Sequence, residues 1–589
     1  MRLTLFFFSV VASAQLAVLP LPNYLISTPG CLLLSPSLSF IPTGAGGNDA
    51  TLSAALSRAR RTIATIGTRG ESVQPCTPEA DSTISSLTVS VGSALASPYP
   101  ALGDDESYAL HVSAGGASML SAPTVWGALR GLETLTQLVS ADRAPDSASP
   151  RLVIPAAWVN ASDSPRFSHR GLMIDTGRAF LPVPLILATL DAMSYVKLNV
   201  LHWHISDDQA FPAQSTTYPN LVAGAMQAPS LTHTYSKADM TTVVEAAAAR
   251  GIRVVAEFDI PGHTKSWFVG YPFLRSNCTT AGGFGAPMDP TLDSTYTFIA
   301  GLLTEMQAAF PDNFFHIGGD EVDFTCWQNT PHIVAFMQAK GLTPPELQLY
   351  FENRVVDMFQ GEKQLLIWEG NAGANNSYPT AENVVVNVWK EEMGDFSVMD
   401  PLVKSGKKIV FTTRNWYLDW TYQGNDRLVC GCVLFVVHAC TFPSSLLISP
   451  PPPTPPVLFL LLPHSFDDHV NGPSQWQYYH TDVFSGSSLT PELFKLVLGA
   501  EVCMWSPYTD STSFFSTVFP RAAAVAERLW SAPGPAVDEG SSLAQRMHAA
   551  RCRMVARGIA AAPVVLSDWS GNDCPNPFSP PYNPPWAQV

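Results

Sequence analysis

The chain is short of charge: only 14% of its 589 residues are Asp, Glu, Lys or Arg, against about 25% in an average soluble domain. That shortage excludes a solvated, disordered protein, because 46% of the residues are apolar and a chain of this composition buries them. Cations are the scarcer sign. Lys and Arg number 33 against 49 Asp and Glu, a net charge of −16, which excludes nucleic-acid binding through clustered cations on the phosphate backbone. Long hydrophobic runs are missing too: beyond the N-terminal segment there is no stretch of about 18 uninterrupted apolar residues. No membrane span is expected, despite a mean hydropathy of +0.11. Cysteine is sparse, ten in all, so disulfides here staple a large domain and do not replace its core.

What is present begins with Arg2, an apolar run from Leu3 to Val11 and the small residues Ala12-Ser13-Ala14. This is the pattern of a secretory signal cut after Ala14; a buried N-terminal strand is the alternative, and the run's brevity and terminal place argue against it. Three sequons fit the same route, beginning at Asn160, Asn277 and Asn375, and each is a candidate glycosylation site. At about 150 residues per domain the length allows four domains, but an α/β barrel alone takes 250 or more, so two fit equally well.

From residue 15 to 165 short β-rich runs, such as Leu87 to Val91 and Tyr108 to Val112, accompany one helical stretch from Val125 to Val139 whose apolar residues fall three and four apart. A small α+β domain is predicted there. From residue 166 to about 565 the texture changes to apolar runs alternating with helical patterns, the sign of βα units on a parallel sheet. The eight runs are His169 to Asp175, Leu198 to Ile205, Ile252 to Phe258, Phe314 to Gly318, Gln364 to Trp368, Val384 to Trp389, Lys408 to Thr412 and Leu498 to Trp505. The fold class is therefore α/β, a (β/α)8 TIM barrel preceded by a small α+β domain, with residues 566–589 as a tail. One segment breaks the rhythm: about 428–465 runs through Cys430, Cys432 and Cys440 and a proline tract, and a loop this long without periodicity reads as an extruded insertion or a mistranslated segment.

In such barrels the chemistry sits at the C-terminal ends of the strands. The unusual residues fall there: Arg178 after the first run, Asp207 and Asp208 after the second, His263 after the third, and Asp320 with Glu321 after the fourth. Adjacent carboxylates in one site can be driven to different proton affinities, so that one acts as acid while its neighbour stays ionised. Trp368, Trp389, Tyr417 with Asp419, and Trp505 end the other four runs; indole faces suit the apolar side of a sugar.

Five motifs carry a resemblance: the run from Arg170 to Arg178, His202-Trp-His-Ile-Ser-Asp-Asp-Gln209, Glu257-Phe-Asp-Ile-Pro-Gly-His263, His316-Ile-Gly-Gly-Asp-Glu-Val322, and the run from Pro520 to Trp530. On them the chain resembles glycoside hydrolase family 20, the eukaryotic β-N-acetylhexosaminidases of lysosomal and plant type, from about Leu19 to Val565. The resemblance implies exo-hydrolysis of terminal β-linked N-acetylglucosamine or N-acetylgalactosamine, with the substrate's own acetamido oxygen as nucleophile. It makes Glu321 the general acid and base and Asp320 the residue that orients the acetamido group. It makes His263 and Asp207 the pair that orients the acid, and Arg178 the grip on sugar hydroxyls. Tyr417 then aims the acetamido oxygen, Trp368, Trp389 and Trp505 enclose the acetyl group, Asp419 and Asp208 are placed among the substrate-binding residues, and Asp208 and Glu257 support the site. It also implies disulfides Cys278 with Cys326 and Cys552 with Cys574, and a bridge of Cys31 with Cys76. The implied partner is a glycan, whether N-glycan, glycolipid or chitin oligosaccharide, with no metal or cofactor; a homodimer and a lysosomal, vacuolar or extracellular destination are family expectations.

One position departs from the pattern. Family members usually carry a glutamate two residues after the last pocket tryptophan, and here Trp505-Ser506 is followed by Pro507. Two other readings remain open on the sequence. His202-x-His204 with Asp207 has the spacing of metal ligands in an amidohydrolase, although Trp368 and Trp389 stand where further ligands are needed. A sugar-binding protein without activity is the other, motivated by Pro507 and the insertion.

Overall fold

The computed structural model describes residues 16–69, 78, 82–115, 118–142, 151–228, 231–278, 285–359, 363–370, 378–391, 394–419, 484–532, 542–564 and 574. The expected signal segment, the 428–465 insertion, Asn375, Cys76 and the 566–589 tail apart from Cys574 lie outside them. Among the described residues no helix is long and apolar enough to cross a membrane.

The N-terminal part is an eight-stranded mixed sheet whose strands run from Tyr24–Thr28 to Trp158–Asp163. Its helices Ala50–Arg69 and Val125–Leu138 share one core with it. The second is buried along nearly its whole length, and Thr124 caps it by accepting from the Gly127 N–H. Asn160 lies within the last strand of this sheet, half-buried.

The following eight strands close into a parallel barrel: His169–Asp175, Val200–Ser206, Arg253–Phe258, Phe314–His316, Gln364–Trp368, Val384–Val388, Lys408–Phe411 and Val497–Met504. Seven of the eight are buried on both faces at nearly every position, because helices cover the outside and side chains fill the inside. That is why they read as near-continuous apolar runs. The helices between them start where the sequence signals it: Ser236 and Asp239 form a capping box before Lys237–Ala248, as do Thr343 and Glu346 around Pro344–Met358.

Inward positions repeat every two residues and stack in layers. The lowest layer is an apolar plug of Val200, Val255, Phe314, Leu366, Val385 and Val410. Two residues further along the same strands stand His202, Glu257, His316, Trp368, Asn387 and Thr412. The barrel interior therefore turns from hydrocarbon to charge within one layer.

The two parts are locked by buried ions. Glu106 of the first receives two guanidinium N–H bonds from Arg170 of the barrel (2.8 and 2.8 Å) and one from Arg130 (2.8 Å). Lys197 of the barrel pairs with Asp163 at 2.8 Å.

Candidate active site

The loop that carries Asp320 and Glu321 is shaped by two glycines after the fourth strand. Gly318 and Gly319 have φ of +71° and +105°, and a Cβ on Gly318 would fall 1.6 Å from Asp259 Oδ1, so no other residue fits there. Asp259 Oδ1 instead accepts the Gly319 N–H at 3.0 Å, and Gln348 Nε2 donates to the Gly319 carbonyl at 2.6 Å. The turn delivers Asp320 and Glu321 side by side. Glu321 itself has φ +48° and His263, facing it, φ +52°; such left-handed backbone on non-glycine residues costs about 1–3 kcal/mol each and clusters at functional sites.

Above this loop lies a cavity of about 370 Å³. Arg178, Asp320 and Glu321 line it with the aromatic residues Trp368, Trp389, Tyr417 and Trp505, and Asp419, Arg414 and Pro507 complete it. The barrel thus gathers eight of the sequence-predicted site residues from six strand ends into one wall. Two buried oxygens there, Asp320 Oδ1 and Asp419 Oδ1, have no hydrogen-bond partner among the described residues, and a bound polyol or amide is the partner that would satisfy them. The aromatic wall is itself held from behind. Trp368 donates its indole N–H to Glu257 at 2.6 Å and Trp389 donates to the Glu369 carbonyl at 2.8 Å. Trp505 packs edge-on to His204 and carries the Arg178 guanidinium 4.8 Å from its ring centre.

His263 and Asp207 sit beneath the cavity. His263 Nδ1 bonds Asp207 Oδ1 at 3.2 Å, while its Nε2 lies 3.5 Å from Asp320 and 3.4 Å from Glu321. Arg178 reaches Asp207 at 2.8 Å and Asp175 at 3.1 Å. Burial alone would drive Asp207 to its neutral form, but His263 and Arg178 outweigh it and hold the carboxyl well below the usual range. The reverse balance acts on His263, whose burial is overcome by Asp207 and Asp320, raising it well above an ordinary histidine. Asp320 is also lowered: burial opposes ionisation, and the His263 charge overcomes it. Burial pushes Asp419 up to about 6 and Tyr417 well above the usual phenol range.

Asp208 stands apart. It is not in the cavity lining; its carboxylate accepts the Lys265 N–H at 2.9 Å and braces the loop after the third strand. That loop is also tied by the Cys278–Cys326 disulfide to the helix that follows Asp320 and Glu321, and Cys552–Cys574 closes the second expected bridge. Cys31 is disulfide-bonded as well. Asn277 lies beside Cys278 at the edge of the described residues.

Three functional features were missed by sequence reasoning. Arg414 enters the cavity from the segment after the seventh strand, its guanidinium 5.3 Å from the Trp389 ring centre. Glu501 accepts from Asn387 at 2.7 Å and faces His202 at 3.0 Å and His169 at 3.4 Å, deep in the barrel. A lone carboxylate inside the apolar eighth run was the available signal. The third is the use made of the histidine pair. Both nitrogens of His202 and of His204 face carboxylates at 2.6–3.0 Å, although His202, Glu257 and His316 lie close enough together to ligate an ion. Burial would lower His202, yet Glu501 and Glu257 raise it to about 9, and His204 is likewise raised well above 6.5. Each nitrogen of the pair is thus turned to a carboxylate at hydrogen-bond distance, an arrangement of ion pairs and not of ligands converging from His202, His204 and Asp207 on one centre.

With this geometry in place, comparison with known proteins is direct. Residues 167–533 match the glycosyl hydrolase family 20 catalytic domain, and residues 18–138 match a domain described as β-acetyl hexosaminidase like. The human β-hexosaminidase subunit beta is 35% identical over 574 residues, covering 94% of this chain and 90% of its own length. The mouse β-hexosaminidase subunit alpha is 36% identical, covering 82% and 80%. Among solved structures a Flavobacterium johnsoniae chitobiase superposes with a TM-score of 0.71 at 26% identity, over 92% of this chain and 72% of that one. A barrel with these strand-end residues, matched over this much of its length, belongs to glycoside hydrolase family 20.

Proposed function

We propose that the chain is a retaining β-N-acetylhexosaminidase that removes terminal, non-reducing β-linked N-acetylglucosamine or N-acetylgalactosamine from glycans by substrate-assisted catalysis. The observation that carries this reading is the pairing of Asp320 and Glu321 at the foot of a cavity walled by Trp368, Trp389 and Trp505. Arg178 and Asp419 bind hydroxyls of the terminal sugar, while the indoles enclose its acetyl methyl. Asp320, kept ionised, accepts the acetamido N–H through its unpaired Oδ1, and Tyr417 donates to the carbonyl oxygen. That oxygen attacks C1 as the glycosidic bond breaks, and the Glu321 proton passes to the departing oxygen. The cyclic oxazolinium cation is stabilised by the Asp320 charge. Water then attacks C1, giving its proton to the Glu321 carboxylate, and two inversions leave the anomeric configuration retained.

The signal-like N-terminus, the sequons and the disulfides support a route through the secretory pathway to a lysosome, vacuole or the exterior, and homodimerisation is the family's usual assembly. Release of p-nitrophenol from its β-N-acetylglucosaminide and galactosaminide at pH 4–7 tests the reading. Turnover by wild type and a kcat lowered by about 10²–10⁴-fold in Glu321→Gln is the expected result. Pro507 in the cavity lining favours one second reading: binding of N-acetylglucosamine with no hydrolysis, even after deletion of 428–465, would make this a sugar-binding homologue.

A further inference from the structure

Under the cavity, one buried carboxylate touches both parts of the machinery. Glu257, fully buried on the third strand, accepts the Trp368 indole N–H on Oε1 at 2.6 Å. Its Oε2 faces His202 Nε2 at 2.9 Å and His204 Nδ1 at 2.6 Å. His204 continues through Nε2 to Asp207 at 3.0 Å, and Asp207 to His263. His316 Nδ1 also lies 3.3 Å from Oε1, but that nitrogen accepts the Gly318 N–H at 3.0 Å and has no proton to give. Burial lowers His316 to about 4, in keeping with a neutral ring.

We propose that Glu257 is the positioning residue that sets both halves of the site at once, the acetyl-binding wall through Trp368 and the acid through His204, Asp207 and His263. This rests on the roles given above to Glu321 and Trp368. Carboxylate and imidazole alternate along the path, Glu501, His202, Glu257, His204, Asp207 and His263, so that each ring of the histidine pair lies between two acids. Only a carboxylate can serve at the third place, because Trp368 and the histidines that each lie between two acids all direct N–H groups at it. An amide of the same shape must turn an NH2 either toward the Trp368 N–H or toward two histidine N–H groups, and each orientation sets donor against donor. The other titratable groups around it are Asp259, just past the end of its own strand, Asp320 and Cys503.

The test is Glu257→Gln in the full chain, with kcat and KM for p-nitrophenyl β-N-acetylglucosaminide measured from pH 3 to 8 beside its Tm. The expected result is a loss in kcat of about 10–100-fold, the range for residues that orient a reacting group through another, with a displaced pH profile. Histidine 15N NMR should show His204 doubly protonated in wild type at pH 7 and neutral in the variant. A variant with lowered Tm but wild-type kcat and pH profile would assign Glu257 to stability alone and overturn the proposal. Should Glu257→Gln not fold, the wild-type spectrum decides, since a neutral His204 at pH 7 leaves one of its two acids without an N–H. Trp368→Phe, which removes the N–H together with one ring of the indole wall, should then raise KM and leave the His204 signal in place; an unchanged KM is the opposing result. A wild-type kcat in Glu321→Gln would instead overturn the reading of the reaction, and the two failures are distinct.

Discussion

The floor and the middle of the barrel are equally buried and built differently. Val255 and Glu257 are two residues apart on one strand, face the same interior, and are both 0% exposed. The floor is held by dispersion and hydrocarbon burial, which tolerate any close-fitting shape. The layer above is held by matched charges, in which removing one partner leaves another uncompensated. The lesson is that burial alone does not say what a substitution will do. Identical exposure conceals a volume requirement in one layer and a charge requirement in the next.

The largest expected effect belongs to neither layer. Glu321→Gln at the mouth should lower kcat by about 10²–10⁴-fold, the usual worth of a general acid. Because Glu321 has a side chain 30% exposed, Tm should stay within error. A parallel loss of Tm would show that the mouth also carries structure.

Next come two variants of similar cost and different character. Phe314→Ala in the floor should destabilise by about 3–5 kcal/mol, read by denaturant titration, with the pH dependence of stability unaltered. Glu501→Gln in the charged layer should cost a comparable ~3–5 kcal/mol by stranding His202, and should reshape that dependence. If both variants keep the wild-type pH curve, the contrast between the layers fails.

The wild-type curve has a definite sign. Burial opposes ionisation of Glu501, yet His202 depresses it below an ordinary glutamate, so its contribution is present above about pH 4.3 and lost as pH falls through the folded value. His202 is raised to about 9, so its contribution is complete below about pH 6.5 and lost as pH rises through about 9. Thermal scans should show Tm highest between these limits and falling above pH 6.5. In Glu501→Gln the fall should begin at lower pH, because His202 has lost its strongest raising partner.

The smallest effect is expected at the rim. Pro507→Glu restores an acceptor to the cavity lining and, at about 0.5–1.5 kcal/mol for one hydrogen bond, should lower KM by roughly 2–10-fold with little change in kcat. An unchanged KM would mean that Asp419 and Arg178 already satisfy that corner.

Much of this was legible in the sequence because strand periodicity is local. The first barrel strand, His169–Asp175, and the fifth, Gln364–Trp368, have the ends their apolar runs predict, and the other six differ by one or two residues. The glycine pair before Asp320 and the strand-end tryptophans marked the mouth in the same way. What the sequence by itself determined is thus the list of elements and the side of the barrel on which chemistry sits. Tertiary structure alone decided which side chains meet. Glu257 and Glu501 lie 244 positions apart in number and share His202 only because closing eight strands sets the second between the third and the first and brings the eighth round to the other side of the first. Arg414 enters the cavity and Asp208 turns out of it for the same reason: loops are aimed by the packing beneath them, while spacing along the chain fixes neither distance nor direction between strands. Charge pairing acts across space, over a few ångströms, and sequence patterns record only what is periodic along the chain.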